Sequence, residues 1–321
     1  LSTPTLTTSK EKLMLSEESL ELIVQDHLAE LEWQAGHGPD FAPGSGERDT
    51  WNDIVLRGRL RNAVRNLNPD VPEEYLDQAI GEVITPKSQS AIAENRRIHQ
   101  ILVEGYRGIE YIDHEGNFQN PTINFLSSHP HKNDYLSLNQ VTVANLDGER
   151  RFDVVCYVNG MPLAFIELKK TGANTSVEGA HNQLQTYVKE FGMAFRFANI
   201  VIPSDDLSAK YGTPFTPWNH FAPWNVDEDG SPVDPNNMVV AGEPVTQLDL
   251  LLDGLFNVER FGQLYSDFTA FDDTAEGLIM RIAKPHQYFA VTKAVGSTIT
   301  AARGDKRAGV IWHTTGAGKS M

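Results

Sequence analysis

The sequence predicts an α/β protein: a mixed central sheet flanked by helices, followed by the beginning of a second α/β domain that binds phosphate. Apolar residues recur at helical spacing as far as residue 104. After Gly105, short apolar stretches alternate with Gly, Asn, Asp and Pro, a pattern typical of strands and turns. Near residue 310, an apolar stretch leads into a glycine-rich segment that ends in Gly-Lys-Ser.

Composition narrows the class of protein. The 321 residues are 40% hydrophobic and 22% charged, as in ordinary globular domains. The net charge of -16 argues against a free-standing nonspecific DNA binder, because phosphate contacts supply most of the affinity of such proteins. If DNA is the substrate, other subunits must hold it. No run of about 18 apolar residues and no secretory pattern occurs, so we expect a cytoplasmic protein without a membrane partner.

Four helices are predicted before the first strand. The first begins at Ser16 and continues to about Trp33, where glycines follow. The others are expected over about 50–67, stopped by Asn68-Pro69, over about 72–84, starting at Pro72, and over about 88–104, with an apolar inner face.

Strands then alternate with one helix. Apolar stretches over 108–112, 135–145 and 152–158 predict strands, a helix is expected over 177–191, and 198–202 predicts a buried strand.

The remainder mixes loop and helix. Residues 211–244 are rich in Pro, Trp, Asn and Gly, which favours a long surface loop whose tryptophans either anchor it or stack on bases. Helices are expected over 247–261 and 283–302, and a buried strand over 309–312.

One hairpin carries the candidate chemistry. Asp153 lies on its first strand, and Glu167 and Lys169 share one face of its second strand because they are two residues apart. Carboxylates are the hard oxygen ligands that Mg²⁺ prefers, and a lysine can position water or offset phosphoryl charge. The alternative is a solvated strand end with a surface ion pair. The nearly wholly apolar strands favour chemistry, since charges that end a buried sheet are costly unless paired or metal-bound.

The register of this hairpin decides whether its two acids share a face. A two-residue loop of Asn159 and Gly160 would pair Val158 with Met161 and turn Asp153 away from Glu167. A three-residue loop, 158–160, would pair residue 157 with residue 161 and leave the two acids diagonal, about 7 to 8 Å apart. We expect the three-residue loop.

The pattern Arg-Phe-Asp followed by Ile-Glu-Leu-Lys resembles the PD-(D/E)xK nuclease motif and implies a nuclease core of that fold. Gln183 and Tyr187, four apart on the next helix, resemble the Gln-x-x-x-Tyr pattern of nucleases of the RecB group, which borders the metal and DNA. The alternative for this pair is a half-buried polar face with Tyr187 in the core.

A phosphate loop is predicted at 313–320, with residues Thr315, Gly316, Gly318, Lys319 and Ser320 around ATP phosphates and Mg²⁺. It would open a RecA-like domain of the superfamily 2 helicase type, so we expect residues 1–260 to form a nuclease domain and 261–321 to begin the motor. The chain stops at Met321, before the helix that should complete the phosphate site, so we do not expect it to hydrolyse ATP.

Gln287 resembles the adenine-reading glutamine of such motors. The alternative is a polar residue on an amphipathic helix.

Taken together, the motifs resemble the restriction (R) subunits of type I restriction-modification enzymes. The segments that carry the resemblance are Leu60–Val64, Asn68–Pro72, Asn133–Tyr135, Asn139–Gln140, Val158–Leu163, Ile166–Lys169, Gln183–Tyr187, His286–Val291 and Gly309–Ser320. Members usually read His-Thr-Gln-Gly-Ser-Gly-Lys-Ser at the last motif, so Thr315 and Ala317 depart slightly.

The resemblance implies a Mg²⁺-dependent endonuclease that cleaves double-stranded DNA, with methyltransferase (M) and specificity (S) subunits as partners and ATP-driven translocation in the full-length protein. It also makes Glu21, on the first helix, a third candidate metal ligand beside Asp153 and Glu167. Two other functions stay open: a catalytically silent nuclease-like scaffold that docks the motor onto the partner subunits, and a nucleotide-binding module.

Overall fold

The computed structural model describes residues 16–146, 148–170, 176–205, 207–240, 243–304 and 307–309. The helices in these ranges are α1 (Glu17–Glu30), α2 (Arg57–Leu67), α3 (Glu73–Ile84), α4 (Ala91–Glu104), α5 (Val177–Glu190), α6 (Gln247–Phe256), α7 (Val258–Ser266) and α8 (Pro285–Arg303). The strands are β1 (Gln34–His37), β2 (Tyr111–Ile112), β3 (Phe118–Gln119), β4 (Tyr135–Asn145), β5 (Gly148–Val158), β6 (Met161–Leu168), β7 (Ile200–Ser204), β8 (Val239–Val240), β9 (Glu243–Pro244), β10 (Thr269–Thr274) and β11 (Gly277–Ile282).

A mixed sheet lies at the centre, and within the described ranges its strand order is β1-β4-β5-β6-β7. Strands β4, β5 and β6 follow one another antiparallel through tight turns, whereas β1 with β4 and β6 with β7 are parallel. Parallel neighbours need long crossovers, which α2 to α4 and α5 supply. The predicted mixed sheet with flanking helices is confirmed.

The core is densest around β5 and β6. Every residue of β6 is buried, as expected for a strand covered on both faces. Helix α5 packs against β6 and β7, while α1 contacts β1, β4 and β6. Both helices therefore contact the strand that carries Glu167.

Most predicted helices are confirmed within a few residues, and two differ. Helix α2 begins at Arg57 rather than at about residue 50. The helix predicted over 247–261 is two helices, because Asn257 ends α6 and caps α7. Phe256 and Phe261 would lie on different faces of one continuous helix, and the break lets both rings pack on Trp33 at centroid distances of 5.4 and 5.2 Å.

Some strands differ from the prediction as well. Strand β1, which lies just beyond the predicted end of the first helix, and the hairpin of β10 and β11 were not predicted. Gly36 permits the close approach of β1 to β4, since a Cβ there would lie 2.8 Å from the Leu138 side chain. The strand expected over 108–112 is only the two-residue β2, and the one expected over 198–202 is β7, shifted by two residues.

The long segment over 211–244 is mostly irregular, as predicted, and it is held down by aromatic side chains. Trp224 is fully buried, and the Tyr211 hydroxyl donates to the carbonyl oxygen of Ala283 at 2.7 Å. Trp218 is half-buried beside His181, with a ring separation of 5.0 Å. Anchoring, rather than base stacking, is therefore the role of Trp224.

An ionic contact fastens α1 to α6. His27 Nε2 lies 2.7 Å from Asp253 Oδ1, and His27 Nδ1 lies 3.6 Å from Asp249 Oδ1. Burial lowers the pKa of His27, but hydrogen bonds and attraction to the two aspartates outweigh it and raise the pKa to about 9. The imidazolium form stabilises this junction.

Packing continues past the predicted domain boundary at 260/261. The core includes α6 and α7 and extends to Tyr288 and Phe289 at the start of α8. The division into 1–260 and 261–321 stays a prediction. Among the described helices, none has the length and apolar character needed to cross a membrane.

Candidate active site

The turn between β5 and β6 differs from the predicted one. Asn159 and Gly160 both have positive φ, 52° and 77°, and Val158 pairs with Met161. This is a two-residue turn of the kind that Asn-Gly favours, so the predicted three-residue loop was wrong. Gly160 packs directly on the start of α2, where a Cβ would lie 2.4 Å from the carbonyl oxygen of Leu56.

A bulge after the turn restores the shared face of the acids. Beyond Tyr157 the register shifts by one residue, so Cys156 pairs with Ala164 and Val154 with Ile166. Continued one step, this register sets Asp153 opposite Glu167 rather than diagonal to it. Directly opposed residues of antiparallel strands project to the same side, with Cβ atoms about 4.5 to 5.5 Å apart. The two-residue turn alone would have separated the carboxylates, and the bulge brings them together.

The three candidate catalytic side chains form a compact polar cluster. Lys169 Nζ lies 2.7 Å from Glu167 Oε1, and the backbone N–H of Leu168 donates to Asp153 Oδ2 at 2.8 Å. Glu167 is 1% exposed, so its carboxylate has little access to bulk water. Asp153 is half-buried. The cluster thus lies where the buried sheet meets its surface.

Burial and mutual repulsion dominate the electrostatics of the acids. Burial, then repulsion from Asp153, raises the pKa of Glu167 to about 8 despite the attraction of Lys169. Burial likewise raises the pKa of Asp153. Burial lowers the pKa of Lys169, but the attraction of Glu167, Asp153 and Glu17 outweighs it, so the net direction is upward. One ammonium therefore only partly offsets the negative charge of the site.

Helix α1 adds two carboxylates. Glu21 is buried, accepts a hydrogen bond from Asn139 Nδ2 at 3.3 Å, and is repelled by Asp153. Burial raises the pKa of Glu21 to about 7. Glu17, one turn earlier on the same face, accepts from the N–H of Lys170 at 3.4 Å. Sequence reasoning did not single out Glu17, although its spacing of four from Glu21 was an available signal.

Gln183 and Tyr187 of α5 border this cluster. The Gln183 amide donates to the Tyr187 hydroxyl, and the Tyr187 ring packs edge-on against Phe152 at 5.4 Å. Burial, then repulsion from Glu167, raises the pKa of Tyr187. The hydroxyl therefore lies within the field of the acids while its ring belongs to the core.

The donor set suits a hard divalent cation. Mg²⁺ is commonly held by one or two carboxylates together with waters and substrate phosphate oxygens. Among the described residues, no three His, Cys, Asp or Glu side chains form a metal cage by themselves. Asp153 and Glu167 nevertheless fit that sparser arrangement, because they are opposed on one face and lack enough positive charge nearby. Repulsion from Asp153 also acts on the Glu21 carboxylate.

The predicted nucleotide-binding residues lie mostly outside the described part of the chain. Thr315, Gly316, Gly318, Lys319 and Ser320 lie outside the described residues. Gln287 is half-buried at the start of α8, where its side-chain oxygen accepts from the N–H of Lys284 at 2.8 Å. In this structure Gln287 caps its own helix.

Two family models match the chain. Residues 14–220 match the type I restriction enzyme R protein N terminus, a range that includes every candidate nuclease residue. Residues 286–321 match the SWI2/SNF2 ATPase family, a range that includes the predicted phosphate loop.

Curated relatives cover nearly the whole chain. The chain is 31% identical over 316 residues to the type I restriction enzyme HindI endonuclease subunit of Haemophilus influenzae, with 96% of the chain and 29% of the relative aligned. It is 28% identical over 330 residues to the putative type I restriction enzyme MjaIXP endonuclease subunit of Methanocaldococcus jannaschii, with 97% of the chain and 31% of the relative aligned. The chain therefore spans about a third of the length of these relatives. It belongs to the type I restriction enzyme R protein family, whose N-terminal part it matches.

Proposed function

We propose that this chain carries the nuclease site of a Mg²⁺-dependent endonuclease that cleaves double-stranded DNA as the restriction subunit of a cytoplasmic type I restriction-modification complex. The observation that carries the proposal is the bulged register that sets Asp153 opposite Glu167, with Lys169 bonded to Glu167. This arrangement is the one that a PD-(D/E)xK core requires, and we assign residues 1–260 to such a core.

Each side chain then has a defined task. Asp153 and Glu167 would hold Mg²⁺, which polarises the phosphate and lowers the pKa of a bound water. Lys169, whose pKa is raised, stays protonated at neutral pH and therefore offsets negative charge on the phosphoryl oxygens rather than abstracting a proton. Gln183 and Tyr187 line the side of the cluster formed by α5 and offer polar groups to the DNA backbone.

The rest of the activity belongs to other parts of the assembly. We propose that residues 261–321 begin an ATP-driven translocase, in which Thr315, Gly316, Gly318, Lys319 and Ser320 surround ATP phosphates and Gln287 reads adenine. Methyltransferase and specificity subunits would hold the DNA, which agrees with a net charge of -16 that is unsuited to gripping DNA alone. The relatives named as endonuclease subunits of type I restriction enzymes support this assignment.

Calorimetric titration with Mg²⁺ and Mn²⁺ tests the metal site. We expect the chain to bind, and the Asp153→Asn and Glu167→Gln variants to lose most of the binding heat. Glu276→Gln, at an exposed turn position between β10 and β11, is the matched control and should bind as the unsubstituted chain does. A chain that binds neither metal would be a catalytically silent scaffold instead.

Cleavage is tested in the assembled complex with its full-length subunit. Lys169→Ala should retain metal binding while DNA cleavage falls by about two orders of magnitude or more, as when one electrostatic stabiliser is removed. The 321-residue chain alone should cut DNA weakly or not at all. Robust sequence-specific cutting by it would contradict the division of labour proposed here.

A further inference from the structure

The segment Asn139–Gln140 of β4 is not used by the chemistry described so far, yet it contacts the site. Asn139 is 3% exposed, and its amide nitrogen donates to Glu21 Oε2 at 3.3 Å. Its amide oxygen lies 2.8 Å from Nδ1 of His37 on β1. An ionised carboxylate only accepts, so Nδ2 faces Glu21, and Oδ1 then accepts a hydrogen bond from the Nδ1–H group of the His37 ring. The orientation of this amide is thereby fixed.

Gln140 interrupts the pairing of β4 with β5 at the same point. Its φ is +52°, a left-handed value that is uncommon for a residue other than glycine, and the ladder skips it between Asn139 and Val141. The skipped position lies in register with Asp153 on β5. Such local strain persists only where the surrounding structure imposes it, and it concentrates at functional sites.

Two neighbouring residues of β4 reach one carboxylate at this point. On a regular strand, consecutive side chains project to opposite faces. Here both Asn139 and Gln140 have side chains within hydrogen-bonding range of Glu21. Both amides therefore serve the carboxylate that α1 contributes, and the left-handed backbone lies at the second of the two residues.

We propose that Asn139 and Gln140 are positioning residues, which aim the Glu21 carboxylate at the cation held by Asp153 and Glu167. The proposal rests on the metal site proposed above and adds to it a supporting layer contributed by β4. Groups that orient metal ligands in this way typically change metal affinity by about 10 to 100-fold when they are removed.

Titration of the chain with Mn²⁺ tests this role, with urea unfolding measured in parallel. Gln140→Gly keeps the left-handed backbone at no steric cost but removes the side-chain amide. We expect its Mn²⁺ affinity to fall about 10-fold or more while its resistance to urea is maintained. Asn139→Leu, which keeps the number and branching of the side-chain heavy atoms, should lose affinity similarly. Asn145→Leu, near the far end of the same strand, is the matched control and should leave Mn²⁺ affinity unchanged.

Because Asn139→Leu can also weaken the fold, a double-mutant cycle with Glu21→Ala separates positioning from structure. If Asn139 acts through Glu21, its substitution causes no further loss of Mn²⁺ affinity once Glu21 is alanine. If the losses of Mn²⁺ affinity from the two single substitutions multiply in the double variant, or if Gln140→Gly leaves the affinity unchanged, the positioning role is overturned. The proposed metal site at Asp153 and Glu167 is unaffected by either result. Absence of Mn²⁺ binding by the unsubstituted chain would overturn both.

Discussion

Replacing Glu167 by glutamine should make the metal-free protein more stable at alkaline pH than the unsubstituted chain. The Glu167 carboxyl titrates at about 8 in the folded protein, against an ordinary value of 4.5, because it is buried and faces Asp153. A carboxyl with a raised pKa favours folding in its protonated form. Its contribution is complete below the unfolded pKa of 4.5 and is lost as the pH rises through about 8.

The magnitude follows from linkage. Each tenfold difference in proton affinity between the folded and unfolded states is worth about 1.4 kcal/mol. Between about pH 5.5 and about pH 9, the unfolding free energy of the unsubstituted chain should therefore fall by about 3 kcal/mol relative to that of Glu167→Gln. The glutamine is neutral throughout this range and avoids the loss.

Urea unfolding of both proteins at the two pH values, in a chelating buffer, measures this difference. Glu276→Gln is the control, and the difference in unfolding free energy between this variant and the unsubstituted chain should not change with pH. A difference that is the same at both pH values would refute the argument that burial and Asp153 dominate at this position. A Glu167→Gln variant that loses stability on the alkaline side would show instead that the ion pair with Lys169 outweighs both.

Three further outcomes are expected. Mn²⁺ affinity should rise steeply between about pH 6 and about pH 8.5, because Glu21 and Glu167 titrate at about 7 and about 8 and must lose their protons to bind metal. A calorimetric Mn²⁺ affinity that does not change with pH would contradict this prediction. His27→Gln should lower the unfolding free energy by up to about 3 kcal/mol, the stabilisation that the imidazolium provides. This stabilisation is complete below the ordinary pKa of 6.5 and is lost as the pH rises through about 9, which urea unfolding at several pH values would measure. Gly160→Ala should lower the unfolding free energy by about 2 to 5 kcal/mol, and by more than Gly116→Ala does. Gly116 also has a positive φ, but the space around it is open. Equal losses of unfolding free energy in the two variants would mean that backbone strain alone matters.

The sequence by itself determined the local structure and the chemical identity of the site. Strand β4 begins and ends at the residues expected, and α3 to α5 are within a few residues of their predicted bounds. These features depend on periodicity and capping, which are signals contained in short windows of sequence. The candidates Asp153, Glu167 and Lys169 were recognisable from their spacing together with the nearly wholly apolar strands that lead up to them.

Only the tertiary structure decided how these residues meet. The Asn-Gly turn has two residues, and a bulge beyond Tyr157 recovers the face that the turn would have lost. Gly160 lies close to the start of α2, and no local sequence pattern in the hairpin predicts that contact. The two-residue turn is the one that Asn-Gly favours, whereas the bulge is selected by packing.

The same holds for the surroundings of the acids. The pairing of β1 with β4, which places His37 beside Asn139, joins segments about a hundred residues apart. The approach of Glu17 to the cluster arises only once α1 lies against the sheet. Long-range packing sets such geometry because its energy resides in contacts that no short window of sequence contains.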